Sequence, residues 1–490
     1  MVFAKARFHP PVILCAIWLC FVSTCLAQEH GSRVDEYMNA LVKLNRFSGT
    51  VLIARGGKVL VSRGYGMANL EDAVPNSPRT KFRIASVTKQ FTAAGVLMLQ
   101  ERGKLNVQDG VCKYVPKCPD AWQRITIHQL LTHSSGIPDY HTEIPELLPP
   151  APPMPTGQVV EIIGGKPLHF APGEKFRYSN SGYYLLGHII EKVSGESYGA
   201  FLQGNIFAPL GMKDTGLDDL SLVLPHRAVG YVRNRDRFLN ALFRRTPPPQ
   251  ADAGLYSTVG DLLRWEQALY TERILSKKSL NAMFAPSIVM SMTAEWGTFA
   301  GSYGYGWIVT DQFNHRAEVH GGIAGGFTTF IMRFPEDKAT VIFLGNLDLA
   351  PMETIARNLT AITFGGKYEL PKESIAQVLF ETIMGQGIQA TLKEYRHLKS
   401  TRSGDYEFYE GALNSLGYDL LGRKKVKEAI EIFKLNVEAY PQSFNVYDSL
   451  GEAYMTSGDK ELAIKNYQKS VELNPKNSNG LEMLSKLRQQ

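Results

Sequence analysis

An α+β fold, in which one antiparallel sheet is packed by helices and carries a helical lobe, followed by an all-α domain, is the architecture this 490-residue sequence predicts. Two observations carry the first part: strand patterns stand at both ends of one long stretch, and helical patterns lie between them. The first strand pattern runs Thr50-Val51-Leu52-Ile53-Ala54, turns at Gly56-Gly57 and returns as Val59-Leu60-Val61, a hairpin signature. The second runs from Phe327 to Met332, turns at Pro335-Glu336-Asp337 and returns from Thr340 to Leu344. Between them, Ser86 to Glu101 places Val87, Phe91, Ala94, Leu97 and Met98 on one helical face. Two proline-rich stretches, Pro145 to Pro155 and Pro247 to Pro249, read as irregular loops inside the unit.

The third observation is a repeat beyond about Pro371, where strand patterns cease. Leu416-Gly417, Ala429, Phe433 and Pro441 recur 34 residues later as Leu450-Gly451, Ala463, Tyr467 and Pro475. The period and residue pattern resemble the tetratricopeptide repeat, in which small residues let two helices approach. Two repeats bury too little surface alone, so helices in 373–399 and a cap carrying Leu481, Leu484 and Leu487 are expected to complete the stack. The expected organisation is a leader at 1–27, a first domain at 33–365 and a helical-repeat domain at 373–490.

With 44% hydrophobic and 20% charged residues, the composition is that of an ordinary globular protein. Lys5 and Arg7 followed by an apolar run from Val12 to Leu26 and the small Ala27 read as a signal peptide, which implies a secreted or periplasmic protein. An uncleaved anchor is the alternative, but the run is short and Ser23 and Thr24 interrupt it. Removing the leader lowers the formal charge by two, from +6 to +4, a balance that implies no nucleic-acid partner. Cys15, Cys20 and Cys25 leave with it, and in an oxidising compartment Cys112 and Cys118 are expected to pair. Metal binding by this pair is disfavoured because no second Cys or His cluster lies at ligand spacing, and no cofactor is implied.

Ser86-Val87-Thr88-Lys89 sets a hydroxyl and an amine one helical turn apart. A serine hydroxyl needs a neighbouring base to take its proton, and a lysine of lowered pKa can serve. Another Ser-x-x-Lys, Ser457 to Lys460, falls in the turn of a helical repeat and reads as a solvated loop. Tyr178-Ser179-Asn180 precedes an apolar helix and offers a phenol as proton shuttle and an amide for a substrate carbonyl or a lysine. His320-Gly321-Gly322-Ile323 stands before a strand, where glycines let the backbone approach a ligand and aim an N–H at it.

These elements, with Leu130 to Gly136, Ala171-Pro172-Gly173 and Gly254 to Thr258, resemble the serine β-lactamase and penicillin-binding-protein superfamily over roughly residues 33–365. The likeness is to its class C-like branch, which also holds D-aminopeptidases, D,D-peptidases and family VIII carboxylesterases. The resemblance implies Ser86 as nucleophile, Lys89 as its activator, Tyr178 as general base and acid, and Asn180 as a substrate-side hydrogen-bonding group. It further implies an oxyanion hole from the backbone N–H groups of Ser86 and Ile323. Many relatives carry Lys-Thr-Gly where this chain has His320-Gly321-Gly322, so His320 becomes the expected substrate-side residue. An imidazole there is mostly neutral at neutral pH, which implies at most weak β-lactam hydrolysis and a preference for substrates without a carboxylate.

Substrates are thus expected among esters, amides and peptidoglycan-like D-amino-acid peptides, with a protein partner for the repeats. Two rival readings are a catalytically idle penicillin-binding-like sensor and a binding protein acting through its repeats; intact Ser86, Lys89, Tyr178 and Asn180 argue against both. Gly195-Glu196-Ser197-Tyr198-Gly199 matches a nucleophile elbow, but a helical pattern rather than a strand precedes it. His133 reads as structural, and Asn358-Leu359-Thr360 is a glycosylation sequon of weight only in a eukaryotic protein.

Overall fold

Alternation of apolar side chains along three strands decides how the first unit is layered. Successive side chains of a strand point to opposite faces, so Leu52, Ile331, Ile342 and Leu344 enter one core while Val51, Ile53, Phe330, Val341 and Phe343 enter another. The computed structural model describes residues 29–144, 156–219, 221–235, 237–242, 250–290, 300–311, 314–348 and 350–489; the expected leader and the two proline-rich stretches lie outside them. The strands that matter for function are β1 (Gly49–Arg55), β2 (Lys58–Tyr65), a hairpin of β3 (Tyr231–Asn234) and β4 (Arg237–Asn240), then β5 (Ile288–Val289), β6 (Ser302–Tyr303), β7 (Ile308–Thr310), β8 (Ala317–Ala324), β9 (Phe327–Phe334) and β10 (Ala339–Gly345).

Eight of them form one antiparallel sheet in the order β5-β6-β7-β8-β9-β10-β1-β2. β10 pairs with β1 from Gly49↔Gly345 to Arg55↔Ala339, so strands from both ends of the unit close the sheet. Every residue of β9 and β10 is buried, because helices cover both faces. One face takes residues 29–43 and Met352–Thr363, the other the helical lobe with helix α1 (Thr88–Glu101) at its centre. The single apolar face expected for 86–101 is therefore too narrow a description: Thr88 through Leu99 are all buried. Residues 85–87 form a separate 3₁₀ turn ahead of α1.

Cys112 and Cys118 are joined by a disulfide, with Cα atoms 5.2 Å apart, and both pack on the lobe core. Asn358, the sequon residue, is buried in the helix Met352–Thr363 and spends its amide on Thr354 O and Glu369 N–H, which leaves no room for a glycan.

The second compact unit begins at Leu370. Ile375–Gln386 and Ile388–Thr401 precede two helical hairpins, Glu410–Gly422 with Val426–Ala439 and Phe444–Ser457 with Lys460–Leu473, and Ser478–Gln489 follows them. The small residues of the repeat stand where rings press: a Cβ on Gly417 would come within 2.4 Å of Phe433, and one on Gly451 within 3.1 Å of Tyr467. In the last helix Leu484 and Leu487 are buried, whereas Leu481 is exposed and does not serve the cap as expected. Among the described residues no helix is long and apolar enough to cross a membrane.

Candidate active site

Phe82–Arg83 pairs with Leu255–Ser257, and Ile84 N–H donates to Leu255 O, which pins the chain just before Ser86. Ala85 then takes a φ of +47°, a conformation costly for a residue with a Cβ, and turns the chain sharply into the helix. Ser86 is thereby presented at the mouth of a cleft of about 650 Å³, whose wall also includes His141, Asn180, Gln250 and Ile323. Gly322 of β8 passes directly behind. A Cβ there would stand 2.5 Å from Ile84 O and 2.9 Å from Ser86 N, so only glycine lets β8 reach the backbone of Ser86.

Lys89, the second residue of α1 and three residues on from Ser86, is fully buried. Its Nζ donates to Ser86 Oγ at 3.1 Å, Asn180 Oδ1 at 2.8 Å and the carbonyl of Asp252 at 2.9 Å. Burial lowers its pKa to about 8, against the opposing pull of the Asp252 and Asp139 carboxylates. The ammonium also faces the rings of Tyr178 and Tyr183, at 4.8 and 5.6 Å. Tyr178 is driven well above the usual phenol range by burial, offset in part by the hydrogen bond it shares with Ser86. It is thus a neutral phenol at rest.

Asp139 and Asp252 hold this arrangement, and neither stood out in the sequence. Asp139 accepts from both the backbone and the side-chain N–H of Asn180, at 2.9 and 2.8 Å, which aims the Asn180 oxygen at Lys89. Burial pushes the Asp252 carboxyl upward, but His141, Lys89 and the Tyr140 hydroxyl at 2.8 Å hold it below its ordinary value. His141 was missed as well; its Nε2 lies 3.5 Å from Asp252 and its ring borders the cleft. The available signal was position alone, because Asp139 follows Gly136 by three residues and Asp252 precedes Gly254 by two.

The expectation for His320 needs correction. The residue is 1% exposed and does not line the cleft. Its Nδ1–H donates to Gly321 O at 2.7 Å, and its Nε2 accepts from Tyr303 at 2.9 Å. With both nitrogens occupied, burial first and Lys89 second lower its pKa to about 3. His320 is a neutral buried prop, so it brings no charge to the cleft wall. Ile323, by contrast, is 41% exposed and faces the cleft.

His133 is likewise buried, its ring 4.2 Å from that of Tyr178 and its Nδ1 accepting from Ser179 N–H. It keeps Tyr178 in place. Ser197 is an exposed N-cap whose hydroxyl accepts from Ala200 N–H at 3.4 Å. Ser457 and Lys460 lie at the turn between two repeat helices. Among the described residues no cluster of three or more His, Cys, Asp or Glu side chains could hold a metal ion.

Both units of the chain are similar to known proteins. The β-lactamase family model matches residues 34–362, and a tetratricopeptide-repeat model matches 444–477. Penicillin-binding protein 4* of Bacillus subtilis is 31% identical over 371 residues, covering 71% of this chain and 79% of that protein. The octameric penicillin-binding protein homologue of Pyrococcus abyssi superposes with a TM-score of 0.60 at 30% identity, over 70% of this chain and 79% of that one. The D-amino acid amidase of Ochrobactrum anthropi shares the fold at 22% identity and a TM-score of 0.60, over 68% of this chain and 98% of that one. This chain belongs to the serine hydrolase superfamily of β-lactamases and penicillin-binding proteins, and carries a tetratricopeptide repeat toward its C-terminus.

Proposed function

We propose that the chain is an exported serine hydrolase that forms an acyl-enzyme on Ser86 with esters, amides or D-amino-acid peptides. The observation that carries the reading is the buried Lys89 amine, 3.1 Å from the Ser86 hydroxyl and titrating near 8. A useful fraction of such an amine is neutral near physiological pH, so it can accept the Ser86 proton as Oγ bonds to the substrate carbonyl carbon. This shifts the base from Tyr178, the expected holder of that role, to Lys89, because a phenol kept neutral by burial has no free charge to accept a proton. Tyr178 acts instead as relay: it gives its proton to the leaving oxygen or nitrogen and regains one from Lys89. Water then attacks the acyl-enzyme by the reverse route.

The N–H groups of Ser86 and Ile323 supply the oxyanion hole, and Gly322 gives them their approach. Among the described residues lining the cleft, Arg83 is the one lysine or arginine, and it is held by Asp218 at 2.5 Å. That pairing, rather than a neutral His320, supports a preference for substrates without a carboxylate and weak β-lactam turnover. Export is supported by the leader pattern and the Cys112–Cys118 bond, and the repeats are read as a protein-contact module.

Incubation with a fluorophosphonate or a fluorescent penicillin, read by intact mass, tests the reading. An adduct on Ser86 is expected, absent in Ser86→Ala and retained in Ser197→Ala. Turnover should fall at least about a thousandfold in Ser86→Ala, and an active Ser86→Ala protein would overturn the proposal. A panel of p-nitrophenyl esters, nitrocefin and a D-Ala-D-Ala peptide then ranks the substrate classes.

A further inference from the structure

The hairpin β3–β4 takes no part in the chemistry at Ser86, yet the fold brings it over the same cleft. Its base is fixed to the segment after β10 by two bonds: Tyr231 N–H donates to Asn346 O at 3.0 Å, and Asp348 N–H to Tyr231 O at 2.9 Å. Two glycines allow it to settle on the turn that joins β8 to β9. A Cβ on Gly230 would meet Gly325 O at 2.5 Å, and one on Gly326, at a φ of +84°, would meet Ala241 Cβ at 2.6 Å. The hairpin is therefore seated beside the strand that carries Ile323.

Val232 and Leu239 are cross-strand partners, so they share one face of the hairpin. Together with Ala241 and Leu242 they line the cleft, as do Ile323 and Ala324 on the neighbouring strand. Leu239, Leu242 and Ile323 remain 41%, 81% and 41% exposed. Leucines held open to water on an anchored hairpin, continuous with a nucleophile, form an apolar surface awaiting a partner.

We propose that this surface is the subsite for the acyl group of the substrate, and that the group it takes is an aliphatic chain. The inference rests on the hydrolase reading above and adds the substrate class. Direction follows from the proton path. At a tetrahedral carbon on Ser86, the leaving atom must face the proton donors Tyr178 and Lys89, which stand at Asn180: Lys89 Nζ donates to Asn180 Oδ1 at 2.8 Å and faces the Tyr178 ring at 4.8 Å. The acyl substituent then points away from them, toward Ile323, Leu239 and Leu242. Esters and amides of fatty acids of medium length meet that wall, whereas the acyl group of an acetate ester is too short to reach it.

The test is a series of p-nitrophenyl esters from acetate through butyrate and hexanoate to octanoate, with Ser86 acylation followed by intact mass and kcat/KM by release of the phenol. Each added methylene is expected to raise kcat/KM about two- to fourfold, the upper figure corresponding to about 0.8 kcal/mol for a fully buried CH₂. Acetates of lengthening alcohols should show no such rise. Leu239→Asn with Leu242→Asn should lower the hexanoate-to-acetate ratio several-fold, while Val223→Asn, at a residue 97% exposed and outside the cleft wall, keeps the wild-type ratio. A flat series with Ser86 acylated overturns the subsite alone, as does a rise that follows the alcohol or survives in the Leu239/Leu242 variant. Failure of every ester and of a fluorophosphonate to mark Ser86 overturns the hydrolase reading, and the subsite with it.

Discussion

The β-lactamase-like unit buries charge, whereas the repeat unit keeps it at the surface. In the first, Lys89 and Asp252 are fully enclosed, and Arg333 joins Glu318 and Glu266 with all three side chains nearly inaccessible. In the second, Arg396–Glu438 and Lys486–Glu482 pair with side chains about 60% exposed, and such pairs contribute little. The partners differ in reach too. Lys89 is held by residues 91 and 163 positions away, while Gly417 meets a ring 16 residues on in the next helix. Burying an amine is costly unless distant groups satisfy it, and that cost is what lowers its pKa into a useful range. A repeat stack needs only nearest neighbours, so it can be read, extended and capped locally.

The largest break in this contrast should come from Lys89→Met. Loss of the base is expected to lower kcat/KM about 10²–10⁴-fold. In the wild type, kcat/KM should rise with pH through a limb near 8, because deprotonation of the depressed Lys89 creates the base. A pH–rate profile without that limb would exclude Lys89 from the role.

One substitution made twice sharpens the contrast. Gly322→Ala forces a methyl against Ser86 N and Ile84 O and should cost activity on any ester by about tenfold or more, through a misplaced oxyanion hole. Gly417→Ala presses on Phe433 and should destabilise the repeat unit by about 1–3 kcal/mol, with ester hydrolysis retained. Urea melts and kinetics on both variants check the pair; equal effects on activity would dissolve the distinction.

His320→Lys is expected to act on stability rather than on substrate choice. It sets an ammonium in a buried site that already lies near Lys89, at a cost of about 3–5 kcal/mol for an uncompensated charge. The wild-type imidazole carries a related pH signature. An unfolded chain protonates His320 below about pH 6.5, whereas the native state resists to about 3. The unfolded state therefore binds more protons across that window, and stability falls as the pH is lowered through it. Parallel urea titrations at pH 7 and 5 should show a smaller acid loss in His320→Gln; an equal loss would assign the effect to other groups.

Reduction of Cys112–Cys118 should remove at most about 2–3 kcal/mol, the constraint of so short a loop, and leave the unit folded. Smallest of all, ending the chain at Glu369 should change kcat/KM on a small ester by less than about twofold, since every residue placed at Ser86 precedes that point. Loss of soluble protein on truncation would show instead that the β-lactamase-like unit depends on the repeats.

By itself the sequence determined the strands at both ends of the first unit, the helix after Ser86, the 34-residue period, and the motifs holding Ser86, Lys89, Tyr178 and Asn180. These are local patterns of hydrophobicity, glycine and functional group, written in contiguous residues. What only the tertiary structure decided are facts about packing between distant segments. Asp139 and Asp252 became supports of Lys89 because the fold brings the Asp252 carbonyl and Asn180 onto one amine and sets Asp139 behind Asn180. His320 turned inward because Tyr303 and Gly321 take both of its nitrogens, which no spacing in the chain announces. The β3–β4 hairpin reached the cleft because Gly230 and Gly326 let two backbones touch. Burial sets whether a lysine is a base and whether a histidine is a ligand or a prop, and burial belongs to the whole fold.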